Sequence, residues 1–408
     1  MRAEAISAVS RLCRVGSGWA RLAGRFAAGL AVAAAVGAQP APADDSYALD
    51  ANMPARGDDG IRWPVETKGL IYRWETGDKP RVAYTPLMMT AFSHWMTLRG
   101  CARYDRNCAM VISDGSCLAG GCGGPISMAC RKSGQFAVEA WIAPAGRAAK
   151  PATIVTLGED KQQANLELYQ KGWDVWLVLP KVRGGTLERR IISLEPNAPA
   201  HVVVSFDGRE ASACCNGDIV WSAALGADVR GWKRRELIFG QDADGGRQWE
   251  GTIEGVAIYA RAVGAEEARR NFQAYSAKVA KRPAAAVFAV EAVLLAKSRP
   301  FTIQQIQPYS RALVVHEYRV TKVPGARDGP KVGQVIHVAH WSIMASRHLP
   351  VENARVGAAC RLLLEPFDAQ PQLGAVKRSE TLKVEGAAPL FYDAAPPGRA
   401  VAVPAARP

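Results

Sequence analysis

No catalytic signature runs through this sequence. A Gly-x-Ser-x-Gly elbow, a Walker loop, a Gly-x-Gly-x-x-Gly fingerprint and a His-Glu-x-x-His helix are all missing, which sets aside the enzyme classes those motifs define. Long apolar runs are missing too. Phe26–Val36 is too short to cross a bilayer, and Ala284–Ala296 is brief and interrupted by Glu291, so no transmembrane span is expected in the mature chain. Histidine is scarce, with six in 408 residues. Four of them, His316, His337, His340 and His348, fall near the C-terminus, where surface or half-buried single histidines are the expectation. His337 and His340 stand three apart in a strand and therefore diverge, which defeats chelation by the pair. No internal repeat is present, and no extended stripe of basic residues interleaved with aromatics concentrates the charge, so nucleic acid is not an expected partner.

What is present is globular: 49% hydrophobic and 22% charged residues, enough chain for two ordinary domains. The formal net charge is +13, of which residues 1–38, with five arginines and one glutamate, supply +4 and leave +9 to the remainder. That balance favours acidic partners, against the plainer reading of a well-solvated basic surface. Residues 1–43 read as a signal peptide and leader. Arg2, Arg11, Arg14, Arg21 and Arg25 precede the apolar run, and small residues follow at Val36-Gly-Ala38 and Ala41-Pro-Ala43, either of which is a cleavage site. An Arg-rich organelle-targeting peptide is the rival reading. Export implies a secreted or periplasmic protein.

Eight cysteines follow the signal: Cys101, Cys108, Cys117, Cys122, Cys130, Cys214, Cys215 and Cys360. An even count in an exported chain makes all eight disulfide candidates, with no pairing assigned. Five lie in the Gly-rich stretch 101–130, which shows little core patterning, so crosslinks are expected to replace apolar burial there. Zinc is the alternative, but the spacings lack the tight pairs of structural zinc sites.

Along the chain, residues 44–68 read as a Pro-rich linker. From 69 to 281 short segments of period-two pattern recur between turn signals, as an all-β sandwich requires. Phe136, Val138, Ala140 and Ile142 share one face and Glu139 and Trp141 the other. Asp207-Gly208 and Asn216-Gly217 are two-residue hairpin turns. The adjacent Cys214 and Cys215 must point to opposite faces. Gly264–Tyr275 has helical spacing with acids in its first turn. Residues 284–392 carry four further strands, expected as a smaller β-barrel or β-sandwich, with an oligonucleotide/oligosaccharide-binding type barrel as one form. Residues 393–408, dense in Ala and Pro, read as a disordered tail.

The order of segments Phe136–Ile142, His201–Gly208, Cys215–Val220, Trp249–Tyr259 and the Ala-Glu-Glu helix after Gly264 resembles the laminin-G-like (concanavalin A-like lectin/glucanase) superfamily, in its bacterial extracellular branch. The resemblance covers about half of the chain and implies a jelly-roll β-sandwich with a binding surface. It departs from the family at Cys214-Cys215, where an aromatic or aliphatic pair is usual. The Glu-x-Asp-x-x-Glu signature of related glucanases is absent. Glu250 and Glu254, four apart along one strand, would stand about 13 Å apart, too far for a retaining pair.

The binding residues expected on that sandwich are Trp173, Trp176, Trp221 and Trp249, since indoles combine apolar area with a hydrogen-bonding edge. Trp173 and Trp176, three apart, should face opposite ways. Asp242 and Asp244, in a glycine-permitted loop, form a calcium candidate or a metal-free acidic turn; no cofactor is required. The expected function is non-catalytic, lectin-like binding of a polysaccharide or glycoconjugate at the cell envelope. A protein-interaction scaffold for an envelope protein is the alternative, and a glycan-active enzyme the distant third.

Overall fold

The computed structural model describes residues 63–76, 81–82, 95–159, 164–196, 198–282, 286–324, 329–382 and 388–397. The expected signal peptide and leader, most of the expected linker and most of the expected C-terminal tail lie outside these residues. No helix among the described residues is long and apolar enough to cross a membrane.

The first half runs β1 (Leu70–Glu75), β2 (Arg81–Val82), β3 (Trp95–Gly100), β4 (Arg103–Tyr104), β5 (Met110–Ile112) and β6 (Gly115–Gly120) into helix α1 (Gly123–Ser133). Then follow β7 (Phe136–Pro144), β8 (Ala148–Gly158), β9 (Leu166–Gly172), β10 (Asp174–Pro180) and β11 (Thr186–Ser193). The series closes with β12 (Ala200–Phe206), β13 (Glu210–Cys215), β14 (Asp218–Ala224), β15 (Glu236–Phe239), β16 (Gly251–Tyr259) and helix α2 (Ala265–Ala280). One sheet has the order β14-β13-β12-β7-β16-β1-β2, with β5 also on β16 and β4 on β5; the other is β11-β10-β9-β8-β15-β6-β3. Their inner faces share one core, including Phe136, Val138, Ala140, Ile142, Leu168, Leu177, Val204 and Phe239. This is the expected jelly-roll sandwich, and the alternation of β7 sets which residues enter it.

The opposite face of β7 does not meet water. Helix α2 and Trp63 cover it, burying Ala137, Trp141, Val203, Tyr259, Ala268 and Tyr275 together. Trp141 stacks on Phe272 (5.6 Å, 10°) and Tyr275 (4.6 Å, 26°). Glu139, fully buried here, accepts hydrogen bonds from Trp63 Nε1 (2.7 Å), Tyr259 OH (3.0 Å) and Asn271 Nδ2 (2.8 Å), and lies 2.9 Å from His201 Nε2. A buried carboxylate is tolerable only when its oxygens are satisfied in this way. Lys278, near the end of the helix, pairs with Glu75 on β1.

The Gly- and Cys-rich stretch corrects the expectation made for it. Residues 101–130 are not a crosslinked module; Cys117, Ala119, Cys122, Ile126 and Cys130 are fully buried in the sandwich core. All eight described cysteines are free thiols, separated because the fold uses them in different places. Cys214 faces the layer under α2, Cys215 the sandwich core, Cys360 the interior of the second body, and Cys101 packs against that body's outer cluster. The thiols act as small apolar side chains. Gly123 completes the packing, since a Cβ there would overlap the Arg235 carbonyl.

The second body comprises β17 (Phe288–Lys297), a one-turn helix α3 (Ile303–Ile306), β18 (Ala312–Lys322), β19 (Val335–Met344), β20 (Arg347–His348), β21 (Ala359–Pro366), β22 (Arg378–Ser379) and β23 (Leu390–Asp393). Pairing runs β19-β23-β21-β17-β18 and back to β19, so five strands close a barrel, with β19–β23 parallel and the other four ring pairings antiparallel. Closure removes the sheet edges. The interior holds Val290, Leu294, Tyr318, Val320, Ile336, Leu362 and Phe391.

Three of the four histidines in this body are buried rather than scattered on the surface. His316 is fully buried, and burial together with the neighbouring His340 lowers its pKa to about 4. His340 lies 3.1 Å from Asp393 Oδ2 and 3.0 Å from Tyr318 OH. His337 points the other way, 3.5 Å from Glu317, as its three-residue offset requires; only His348 is exposed. No group of three or more metal-ligating side chains occurs among the described residues.

Sandwich and barrel pack directly. Arg311, 5% exposed, donates to the carbonyls of Ala102 (2.6 Å), Leu98 (3.4 Å) and Gly100 (3.4 Å). Cys101, on the same turn, packs against Leu313, Trp341, Met344, Leu373 and Tyr392 of the barrel's outer face.

Candidate functional site

Antiparallel topology brings the β7–β8 and β15–β16 connections to one end of the sandwich. They are stapled there: Ala145 N–H donates to the Glu250 carbonyl (3.0 Å) and Thr153 N–H to that of Arg247 (2.9 Å). Between them lies a cleft of ≈ 420 Å³ lined by residues 145–152, Gln170, Gly246, Gln248, Trp249 and Glu250. That size lies within the range of small-ligand sites. Its floor is fixed, because Trp249, 1% exposed, donates Nε1–H to Gln170 Oε1 (2.8 Å). Gln170 in turn donates to the carbonyls of Gly146 and Gly172, both at 2.9 Å. Gly251 is required next to this floor, since a side chain there would strike the Trp249 ring. Arg147 and Lys150 stand exposed on the rim with no ion pair among the described residues.

The second connection also reaches the outer face of the other sheet. Arg247 lies over the Tyr169 ring (5.3 Å) and pairs with Glu167 (3.1 Å). Tyr169 stacks flat against Trp176 (6.0 Å, 6°), and Lys171 lies 5.9 Å from the Trp176 ring. Tyr169 OH donates to Glu188; burial, then that carboxylate, raises the phenol's pKa above its ordinary range.

The four tryptophans expected to bind therefore part company. Trp176 is half-buried on an outer face with an aromatic partner. Trp173 shares with Gly172 the two-residue turn between the paired Lys171 and Asp174, so strand alternation does not govern it. Trp221 packs toward the sandwich core, and Trp249 is the buried floor of the cleft. Of the acidic pair, Asp242 is 3% exposed and accepts the Gly246 N–H through Oδ1, while its Oδ2 is buried without a hydrogen-bond donor. Asp244 is exposed on the same turn. Glu250 stands in the loop before β16, and Glu254 sits at a bulge in β16, held by Arg282 (2.8 Å). They do not share a regular strand face. Gln170, Tyr169, Arg147 and Lys150 were not singled out in the sequence. The available signal was topological: both connections cross between the sheets, and because β7 pairs with β16 and β8 with β15 they meet at one end.

Residues 124–269 match the family described as the concanavalin A-like lectin/glucanases superfamily. The resemblance read from the residues is thus borne out for that segment, which is less than half of the chain. No curated protein matches. Among solved structures, domain 4 of AbnA, an extracellular arabinanase from Geobacillus stearothermophilus solved with arabinotriose, is 16% identical (TM-score 0.39; 50% of this chain, 98% of that one). The CBM40 of a Ruminococcus gnavus IT-sialidase, bound to α2,3 sialyllactose, is 12% identical (TM-score 0.30; 33% and 80%). The binding domain of Paraclostridial Mosquitocidal Protein 1 is 11% identical (TM-score 0.40; 73% and 77%).

Proposed function

We propose that this is a non-catalytic, exported carbohydrate-binding protein of lectin type, acting at the cell envelope, with its saccharide seated in the cleft between residues 145–152 and 246–250. The observation that carries this reading is the preset floor: a buried indole and amide already hydrogen-bonded to each other, beneath an open rim with two cations that make no ion pair among the described residues. A ligand entering such a site orders few side chains, which favours affinity. Arg147 and Lys150 suit a sugar bearing a carboxylate or sulfate. Glycoside hydrolysis needs a second carboxylate across the bond, and among the described residues Glu250 is the one acid lining the cleft.

Calcium is an accessory proposal at the neighbouring turn. Asp242 Oδ2 would be a ligand, with Asp244 beside it, and the bound cation would stiffen the turn next to the cleft. The test is titration with neutral and acidic polysaccharides, with calcium and with chelator. Saturable binding that falls at least tenfold in Arg147→Ala/Lys150→Ala, at unchanged melting temperature, supports the cleft. Binding lost with chelator supports calcium as well. No glycan binding would overturn the lectin reading and favour the scaffold alternative. For that alternative the relevant feature is edge strand β14, where Ile219 and Val220 are 56% and 51% exposed.

A further inference from the structure

The net positive charge has a focus at the run Arg230-Gly-Trp-Lys-Arg-Arg235, to which a second element adds its own cations. Helix α1 ends with Arg131 and Lys132, both exposed, and the segment 230–235 runs back alongside it. Arg230 guanidinium nitrogens lie 3.5 Å from the carbonyls of Lys132 and Ser133, at the helix C-terminus, while the Arg234 side chain lies over Gly124, at its N-terminus. Asn165 joins the two tracks. Its Nδ2 donates to Ser127 Oγ (3.1 Å) and to the Lys233 carbonyl (2.6 Å), and its Oδ1 accepts the Lys233 N–H (2.9 Å). Trp232, 2% exposed and 5.2 Å from Phe136, anchors the segment in the core.

Arg131, Lys132, Arg230, Lys233 and Arg234 are thereby held as five exposed cations on one surface. Acids near it among the described residues are Asp228, which accepts the Gly231 N–H, Glu159, paired with Arg235, Glu236, and Asp207 in the turn whose Gly208 approaches Gly134. Within the cationic surface, Met128 is 49% exposed, on the same helical face as Arg131 and Lys132 at spacings of three and four. The surface lies at the Gly158 end of β8, whereas the cleft lies at its Ala148 end, so the two are separate.

We propose that this surface docks the protein on an anionic lipid bilayer. Cations clustered near a membrane gain from its negative surface potential, and an apolar side chain among them adds insertion at the headgroup level. A polysaccharide fits less well, because among the described residues the large apolar group offered there is a thioether, with no exposed aromatic ring or amide beside it to stack on or orient a sugar. The proposal does not depend on the reading of the cleft.

The test is co-sedimentation of the full chain with phosphatidylcholine vesicles and with mixed phosphatidylglycerol–phosphatidylcholine vesicles, over a range of salt. Binding is expected only to the anionic vesicles, weakening as salt rises. Each cation is expected to contribute about fivefold in affinity, so Lys132→Gln/Lys233→Gln/Arg234→Gln loses on the order of a hundredfold. Met128→Gln should lose a few-fold, most visibly at high salt, where the charge term is screened. Arg319→Gln/Lys331→Gln/Arg355→Gln, the same change of charge placed on the barrel, should bind as the parent does. Equal losses in the two triple variants, with both folded by circular dichroism, would overturn the assignment. Heparin binding without vesicle binding would overturn it equally, in favour of a polysaccharide.

Discussion

Glu139 and His201, both fully buried, meet at 2.9 Å on neighbouring strands beneath helix α2. The same carboxylate receives Trp63, Tyr259 and Asn271, so one side chain ties the outer face of the sheet to the helix and to the segment before β1. Removing it strands several buried donors at once. Glu139→Ala is expected to cost about 3–5 kcal/mol, and Glu139→Gln, which keeps one acceptor oxygen, clearly less. Urea denaturation measures both, and an alanine variant as stable as the parent would contradict the network's role.

A pH dependence follows from His316. Burial and His340 hold its pKa down at about 4, against an ordinary 6.5. Between those values the unfolded chain takes up a proton that the folded barrel refuses. The contribution to stability is therefore fully present above about pH 6.5 and is lost as pH falls toward 4, by on the order of 3 kcal/mol. Unfolding curves at neutral and mildly acidic pH should show the loss, and His316→Leu should flatten the slope. An unchanged slope in that variant would assign the acid sensitivity elsewhere.

The thiols give a chemical test of the core. Burial raises the pKa of Cys122 and Cys130 to about 12 and that of Cys214 and Cys360 to about 11. Thiolates are the reactive form, so these four are expected not to react with Ellman's reagent in the native protein at pH 8. Cys101 and Cys215, half-buried, should react slowly, and all should react at once in guanidinium. A thiol count in denaturant that rises only after reduction would instead reveal disulfides.

Much of the sandwich was legible because strand alternation is a local signal. The residues Phe136–Ile142 sort to two faces as read, and Asn216-Gly217 adopts the positive φ (52° and 89°) of a tight hairpin turn. The helix after Gly264 was legible from Glu266, Glu267 and the Ala268–Tyr275 spacing. What stayed hidden depends on contacts between distant segments. Trp63 looks like linker until Glu139, 76 positions later, receives its N–H. Cys117, Cys122 and Cys130 looked like crosslinking residues because a buried thiol and a bonded one have the same letter. Arg131 and Arg234 are unremarkable apart and become a charged surface only when α1 and the 230–235 segment lie side by side. The cleft is hidden for the same reason, since Trp249 reads as a platform and is a floor.

The floor itself is testable apart from any ligand. Trp249→Phe keeps the apolar filling but deprives Gln170 Oε1 of its donor, at an expected cost of about 1 kcal/mol in urea. Gln170→Ala leaves the indole N–H unpaired and frees the Gly146 and Gly172 carbonyls, so it should cost more, about 1–3 kcal/mol. If the cleft binds saccharide, both variants should weaken binding by more than their small effect on melting predicts. Variants that lose stability and keep affinity would place the saccharide away from this floor.

The barrel's attachment rests on Arg311, whose guanidinium reaches three carbonyls of the turn that also carries Cys101. Arg311→Ala removes these charge-assisted bonds from a buried junction and is expected to cost about 3 kcal/mol. Because the loss falls between two bodies with separate cores, it should lower their coupling more than either core's own stability. Calorimetry of the parent is expected to give one transition, and of Arg311→Ala two, with the barrel's separated from the sandwich's. Arg311→Lys keeps the charge but not the planar fork, so it should restore only part of the coupling. A single transition shifted as a whole in Arg311→Ala would mean that the apolar contact of Cys101 with Leu313, Trp341 and Tyr392 suffices to hold the two bodies together.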